Sequence, residues 1–184
     1  VTEKATATPT LNVTLKTTAS EQLDILWATK KGIEKSTSTV NLGFKHALAQ
    51  LIFKIQKEDN VKAERISQIT VKANTIGTIS LENGEVSGLT TGGGIFTAYQ
   101  DATGQNITTT ANTVGNPLLI FPETLKDNSI TFTIDGMDYT FAPSAETILK
   151  ANQITTITVT VKQTSLSFSQ SVEPWGNNAG TGTI

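Results

Sequence analysis

Cysteine is absent from the 184 residues, histidine and methionine occur once each, and no apolar run approaches the roughly 20 residues that span a bilayer as a helix. The first absence excludes thiolate chemistry and cysteine-ligated zinc. It leaves the redox compartment open, because oxidising compartments also hold cysteine-free proteins. With one imidazole, sites built on several histidines are excluded, and any catalytic triad would need His46 as its base. No G-x-S-x-G elbow accompanies it. A basic excess is missing too: fourteen Lys and Arg face sixteen Asp and Glu, a formal net charge of −2. That balance makes no field for nucleic acid or an anionic membrane surface.

Other signatures are lacking in the same way. The opening "VTEKATATPT" has neither the charged nor the apolar region of a signal peptide, so the chain is expected either to be cytosolic or to have lost its targeting segment. After the triple glycine of "TTGGGIF" no lysine follows in Walker spacing, which makes a strand connection the expected role. The charged stretch "KEDNVKAER" lacks the EF-hand pattern and reads as a solvated loop. Asp24, Glu123, Asp135 and Asp138 are the carboxylates available for hydrolysis, and nothing fixes a catalytic spacing among them. No enzyme activity, cofactor or metal is therefore expected. His46 sits on an apolar strand face, where a histidine more often bonds to backbone than performs catalysis.

What is abundant is threonine, serine, valine and isoleucine, and β-branched residues pack well on pleated surfaces. Alternation recurs along the chain. Leu11, Val13 and Leu15 alternate, as do Leu23, Ile25 and Trp27; both sets predict half-buried strands. Val40, Leu42, Phe44 and His46 share one face, then Leu51, Phe53 and Ile55 share one, with the parity changing between Leu48 and Ala49. The chain must turn, bulge or cross between sheets there. Ile69 and Val71 are in phase and Ile66 is not. Asn83-Gly84 predicts a hairpin with a type I′ turn, and Asp135-Gly136 predicts a second, between Ile130, Phe132, Ile134 and Met137, Tyr139, Phe141. From Thr90 to Asn116 the glycine- and threonine-rich chain predicts loops and an exposed edge, with weak strands around Ile95 to Tyr99 and Ile107 to Thr113. "PLLIFPE" predicts a buried strand, "AETILKANQ" a helical turn or loop, and "ITTITVTV" with "TSLSFSQSV" two more strands. About ten short strands with no amphipathic helix point to an all-β antiparallel sandwich, with a closed barrel as the alternative. No βαβ rhythm supports a dinucleotide fold.

Several segments in this order resemble the fimbrillin-like proteins of Bacteroidetes, relatives of the major and minor fimbrillins that build surface fimbriae. They are "EQLDILWAT", "VNLGFKHALAQLIFKI", "PLLIFPETL", a late threonine-rich strand pair and "LSFSQSVEPWG". Asp24, Trp27, Phe44, His46, Pro122, Trp175 and Gly176 fill the family's positions, with Ala47, Leu48 and Ala49 beside the histidine, and Glu123 stands where the family has glutamine. The resemblance implies a pair of transthyretin-like domains, of which this chain would hold one Greek-key β-sandwich, with export as a lipoprotein precursor, proteolytic removal of an N-terminal portion and polymerisation by strand donation. On that basis residues 1–37 are expected to be an opening strand pair, either the remnant of a preceding sandwich or the first hairpin of this one. Residues 38–184 are expected to form the fimbrillin-like sandwich.

The implied partners are other fimbrial subunits, and host or bacterial surface glycans or proteins, at the cell surface and outer membrane; nucleic acid and a transmembrane segment are not expected. The segment carrying Leu11, Val13 and Leu15 is the candidate exchanged strand, with an ordinary edge strand as its alternative. His46 and Trp175 read as architecture, the second as a plug closing one end of the core. The competing function is a monomeric surface β-sandwich that binds glycan, for which Tyr99 is the candidate platform.

Overall fold

The computed structural model describes residues 8–35, 39–90, 93–141, 146–163, 165–176 and, for the backbone alone, 179–182. The first residues of the candidate exchanged segment, Ser36 to Ser38, Gly92 of the triple glycine, Ala145 of "AETILKANQ" and two asparagines of the tail lie outside them. Two four-stranded sheets carry the core. One orders as β10 (Asn112–Ile120), β5 (Ala49–Lys57), β15 (Gln153–Val161) and β16 (Leu166–Pro174). The other orders as β13 (Met137–Thr140), β12 (Ile130–Ile134), β6 (Arg65–Ala73) and β9 (Gly94–Asn106). A third sheet orders as β1 (Thr10–Thr14), β7 (Ile76–Ser80) and β8 (Val86–Ser87). Three short pairs complete the described fold: β2 (Leu26–Trp27) with β4 (Lys45–His46), β3 (Val40–Gly43) with β17 (Ala179–Gly182), and β11 (Thr124–Leu125) with β14 (Thr147–Ile148). One 3-10 turn spans Ala19–Glu21.

Period-two alternation places the core. Along β5, Ala49, Leu51, Phe53 and Ile55 are buried, and along β15, Thr155, Ile157, Val159 and Val161 are. Ile130, Phe132 and Ile134 of β12 supply the facing layer. Phe53 meets Phe132 edge to face across the two sheets at 5.9 Å, and Phe132 packs in turn against Phe168. Among the named strands pairing is antiparallel except between β5 and β15, where Leu51 faces Thr155 and Phe53 faces Ile157 in parallel register; an isolated parallel bridge joins Thr18 to Thr97. A parallel pair cannot be closed by a tight hairpin, so the intervening chain passes through the other sheet first.

The two hairpins differ. At Asp135-Gly136 both residues have positive φ, 48° and 78°, which is what a type I′ turn demands, and Ile134 faces Met137 across it. At Asn83-Gly84 the expected type I′ turn is not formed: only Gly84 has positive φ, and five residues connect Ser80 to Val86. Asn83 uses its side chain instead, its Oδ1 accepting from the Glu85 backbone N–H at 3.0 Å. Gly84 is required for a second reason, since a Cβ there would lie 2.0 Å from the Trp27 indole.

The out-of-phase Ile66 is explained by a bulge. Thr133 faces Gln68 and Ile134 faces Ile66, so Ser67 is an extra residue and Ile66 and Ile69 both reach the core. Two expectations fail. The loop expected beyond Tyr99 is strand, since β9 takes in the expected Ile95 to Tyr99 and runs on to Asn106, and the strand expected around Ile107 to Thr113 begins only at Asn112, as β10, which continues into the buried residues 118–120. "EQLDILWAT" is not one strand either: a 3-10 turn takes in its Glu21, pairing is confined to Leu26–Trp27, and Leu23 is 82 % exposed.

Candidate functional site

The change of parity after Leu48 makes a corner, where four consecutive residues, His46 to Ala49, are all buried. His46 ends β4 and turns inward because the Ala47 backbone N–H donates to the Ile25 carbonyl at 2.8 Å, drawing the "LDILW" segment alongside. Asp24 Oδ2 accepts from His46 Nδ1 at 2.7 Å, and the Gly176 carbonyl oxygen lies 3.3 Å from Nε2. Trp175 stacks flat on the imidazole, its ring centroid at 3.6 Å and the planes 3° apart. Both ring nitrogens and one ring face are thus engaged by protein groups. Among the described residues no group of three His, Asp or Glu could hold a metal ion.

Asn152, which the sequence reading missed, organises this corner. Its φ is 60°, its Oδ1 accepts from the His46 backbone N–H at 3.1 Å, its backbone N–H donates to Leu48, and its carbonyl accepts from the Trp175 N–H. The one signal available in the sequence is that asparagine tolerates the left-handed region better than most residues. Gln22 plays a similar part nearby: its Nε2 donates to the Leu119 carbonyl at 2.8 Å while its Oε1 accepts from the Leu119 N–H at 2.7 Å.

Of the other resemblance residues, Trp27 and Pro122 line one open groove with His46 and Asn152. Lys45 Nζ lies 5.8 Å from the Trp27 ring centroid and Gly84 packs against the indole, so contacts with its own chain occupy that ring. Phe44 is half-buried between β3 and β4. Tyr99 belongs elsewhere, on β9, in a groove beside the 3-10 turn. The candidate exchanged strand, β1, lies at the edge of its sheet, paired with β7 on one flank; Leu11 is exposed, Val13 half-buried and Leu15 buried.

Glu123 is half-buried, its Oε1 accepting from the Asn74 backbone N–H and its Oε2 from Asn74 Nδ2, both at 2.9 Å. Burial raises its carboxyl above the ordinary value of 4.5, with the Asn74 bonds and Lys126 pulling the other way. Since its folded pKa lies above its unfolded one, its stabilising contribution is fully present below the unfolded value and is lost as pH rises through the folded value. A Glu123→Gln variant removes that slope. Urea unfolding from about pH 4 to about pH 7 is expected to show the stability difference moving in favour of the variant. A flat difference would contradict the burial argument.

A family model for fimbrillin-like proteins matches residues 2–175. No curated protein matches the chain. Among solved structures the chain is similar to a candidate cell adhesion protein from Bacteroides uniformis, at 17% identity and a TM-score of 0.67, over 95% of this chain and 70% of that one. It is also similar to a candidate cell adhesion protein from Bacteroides ovatus, at 14% identity and a TM-score of 0.64, over 90% of this chain and 60% of that one. At these identities the likeness is one of fold.

Proposed function

This chain belongs to the fimbrillin-like family, and from that premise we propose that it is a structural and adhesive subunit of a bacterial cell-surface fimbria, joined to its neighbours by an exchanged β-strand. Its membership makes it a structural protein rather than an enzyme. Supporting the adhesive part, the two similar folds come from candidate cell adhesion proteins. On this reading the chain reaches the surface as a lipoprotein precursor, is held at the outer membrane through the assembled fimbria, and has other subunits as its main partners. The corner built on Asp24, His46, Asn152 and Trp175 is then architecture that fixes the tail against the sandwich.

The observation that carries strand exchange is the placement of β1. It is joined to the body through one flank of five residue pairs with β7, and its outer face is exposed. Leu15 at its end is buried and Val13 is half-buried against the core, so a departing β1 would uncover unpaired backbone and part of the core together. A strand of the same pattern from a neighbour satisfies both at once.

The absence of cysteine makes the test direct. Asn12 and Thr78 face each other across β1 and β7, with Thr78 Oγ1 donating to Asn12 Oδ1 at 3.0 Å, so cysteines placed at both positions are close enough to bridge. In assembled material the Asn12→Cys, Thr78→Cys protein is expected to give a boiling-resistant ladder on non-reducing gels, with each bridge joining two chains. Filaments whose chains carry only internal bridges would rule out β1 as the exchanged strand. A chain that never assembles even under reducing conditions, with the bridge open, would remove the fimbrial reading itself.

A further inference from the structure

We propose that the groove around Tyr99 binds a neutral carbohydrate, with the Tyr99 ring as its platform and the side chains of Gln100, Asp101 and Asn116 meeting sugar hydroxyls. The site goes beyond the assembly reading and does not depend on it. The groove is walled by Thr18–Ser20 at the 3-10 turn, by Thr97–Asp101 of β9 and by Gly115–Asn116 of β10. Its volume is 690 Å³, within the roughly 300–1,000 Å³ of small-ligand sites.

The groove exists because several irregularities of the sheets coincide there. Ile69 faces Tyr99 while Thr70 faces Thr97, which makes Ala98 an extra residue in β9. Further along β9, Gln68 faces Gln100 and Ile66 faces Gln105, so Asp101 to Gly104 bow out of the ladder. In β10, Val114 faces Phe53 and Leu118 faces Leu51, leaving Gly115, Asn116 and Pro117 as a bulge. Bulges re-aim side chains and cluster beside binding sites. Gly115, at φ 71°, lies so close to β9 that a Cβ would sit 2.3 Å from the Ala98 carbonyl oxygen and 2.8 Å from Tyr99 Cβ. Any larger residue would push the two strands apart.

The chemistry of the lining selects the ligand. Tyr99 is half-buried, packed on the core with part of its surface and lining the groove with the rest. An aromatic ring offers an apolar platform for the C–H face of a pyranose, while amides and a carboxylate meet its hydroxyls as donors and acceptors. Asp101 is prepared as an acceptor: the Thr103 backbone N–H and hydroxyl both donate to its Oδ1 at 2.8 Å and hold its carboxyl below the ordinary range. It is the one charged side chain lining the groove; the Arg65 guanidinium acts on the Tyr99 hydroxyl from outside that lining, with its Nη1 taken by the Thr103 and Gly104 carbonyls, so an acidic sugar would meet the carboxylate first. Apolar surface is limited to the ring and two alanines, too little for a lipid chain. Of the other candidate aromatics, Trp27 lines a separate groove with Gly84 against its indole and Lys45 Nζ 5.8 Å from its ring centroid, and His46 covers one face of Trp175.

The test is titration of the isotope-labelled intact chain, followed by NMR, with neutral oligosaccharides of glucose, galactose, mannose and N-acetylglucosamine. Sialylated and sulfated sugars and an extended peptide serve as comparisons. A neutral sugar is expected to shift the resonances of residues 97–101 and 115–116. Tyr99→Ala should weaken binding by about tenfold or more, whereas Tyr99→Phe, which keeps the ring, should stay within about threefold. Where Tyr99→Ala fails to fold, the exposed Gln100→Ala and Asn116→Ala variants carry the test and must each weaken binding. No neutral sugar bound, binding indifferent to these changes, or a preference for acidic sugars or the peptide would each overturn the proposal. The titration uses unassembled chain, so its outcome is separate from that of fimbrial assembly.

Discussion

Replacing Phe132 by alanine is expected to lower the unfolding free energy by about 3–5 kcal/mol, a loss visible as a lower denaturant midpoint and melting temperature. Phe132 is fully buried on β12 and lies between Phe53 of the opposite sheet and Phe168 of β16, each with ring centroids 5.9 Å away. Truncation removes its transfer free energy and leaves a cavity, and the two sheets cannot collapse into it without breaking their registers. Met137, at the neighbouring hairpin turn, is 59 % exposed, and Met137→Ala is expected to stay within about 0.5 kcal/mol. Equal effects at the two positions would mean that the sheets do not face each other through Phe132.

His46→Ala is expected to cost about 2–4 kcal/mol, with a readout that names the cause. The substitution removes the bond to Asp24, the contact with the Gly176 carbonyl and the surface on which Trp175 stacks. Asp24 is partly exposed, 31% of its side chain, so water recovers some of what it loses. The buried cavity and the freed indole are not recovered. In a Trp27→Phe background, Trp175 is the sole tryptophan. Its emission should move to longer wavelength in His46→Ala at denaturant concentrations where the rest of the chain remains folded, because the tail separates before the sandwich opens. An unchanged emission would show that the imidazole does not hold the tail.

The readable parts of this fold are those where one local pattern suffices. The alternation of Leu51, Phe53 and Ile55 and of Ile130, Phe132 and Ile134 marks strand faces directly, and Asp135-Gly136 marks its turn. In the glycine- and threonine-rich stretch the strand around Ile95 to Tyr99 is legible and its continuation is not, because two features interrupt period two: the bow at Asp101–Gly104 and the bulge at Gly115–Pro117. Leu23 continues the phase of Ile25 and Trp27 and so predicts an inward side chain, yet it follows the 3-10 turn at Ala19–Glu21 outside any paired strand and is exposed. Tyr99 could be singled out as an aromatic in a stretch expected to be rich in loops, whereas it stands on strand β9. The groove it lines could not, since its walls come from three separate segments. Asn152 was invisible for the same reason: its partners His46, Leu48 and Trp175 are brought to it by the fold.

By itself, then, the sequence determined the strand composition, the apolar faces, one of the hairpin turns and the exclusion of thiolate and multi-histidine chemistry. Tertiary structure decided that β5 lies parallel to β15, that β1 sits on the edge of β7, and that the bulges of β9 and β10 meet at Tyr99. The physical reason is that a side-chain pattern of period two specifies which face of a strand is buried, whereas backbone hydrogen bonds are nearly the same for any partner. Which strands become neighbours is settled by how all the apolar faces close over one shared core, and no short stretch of sequence contains that information.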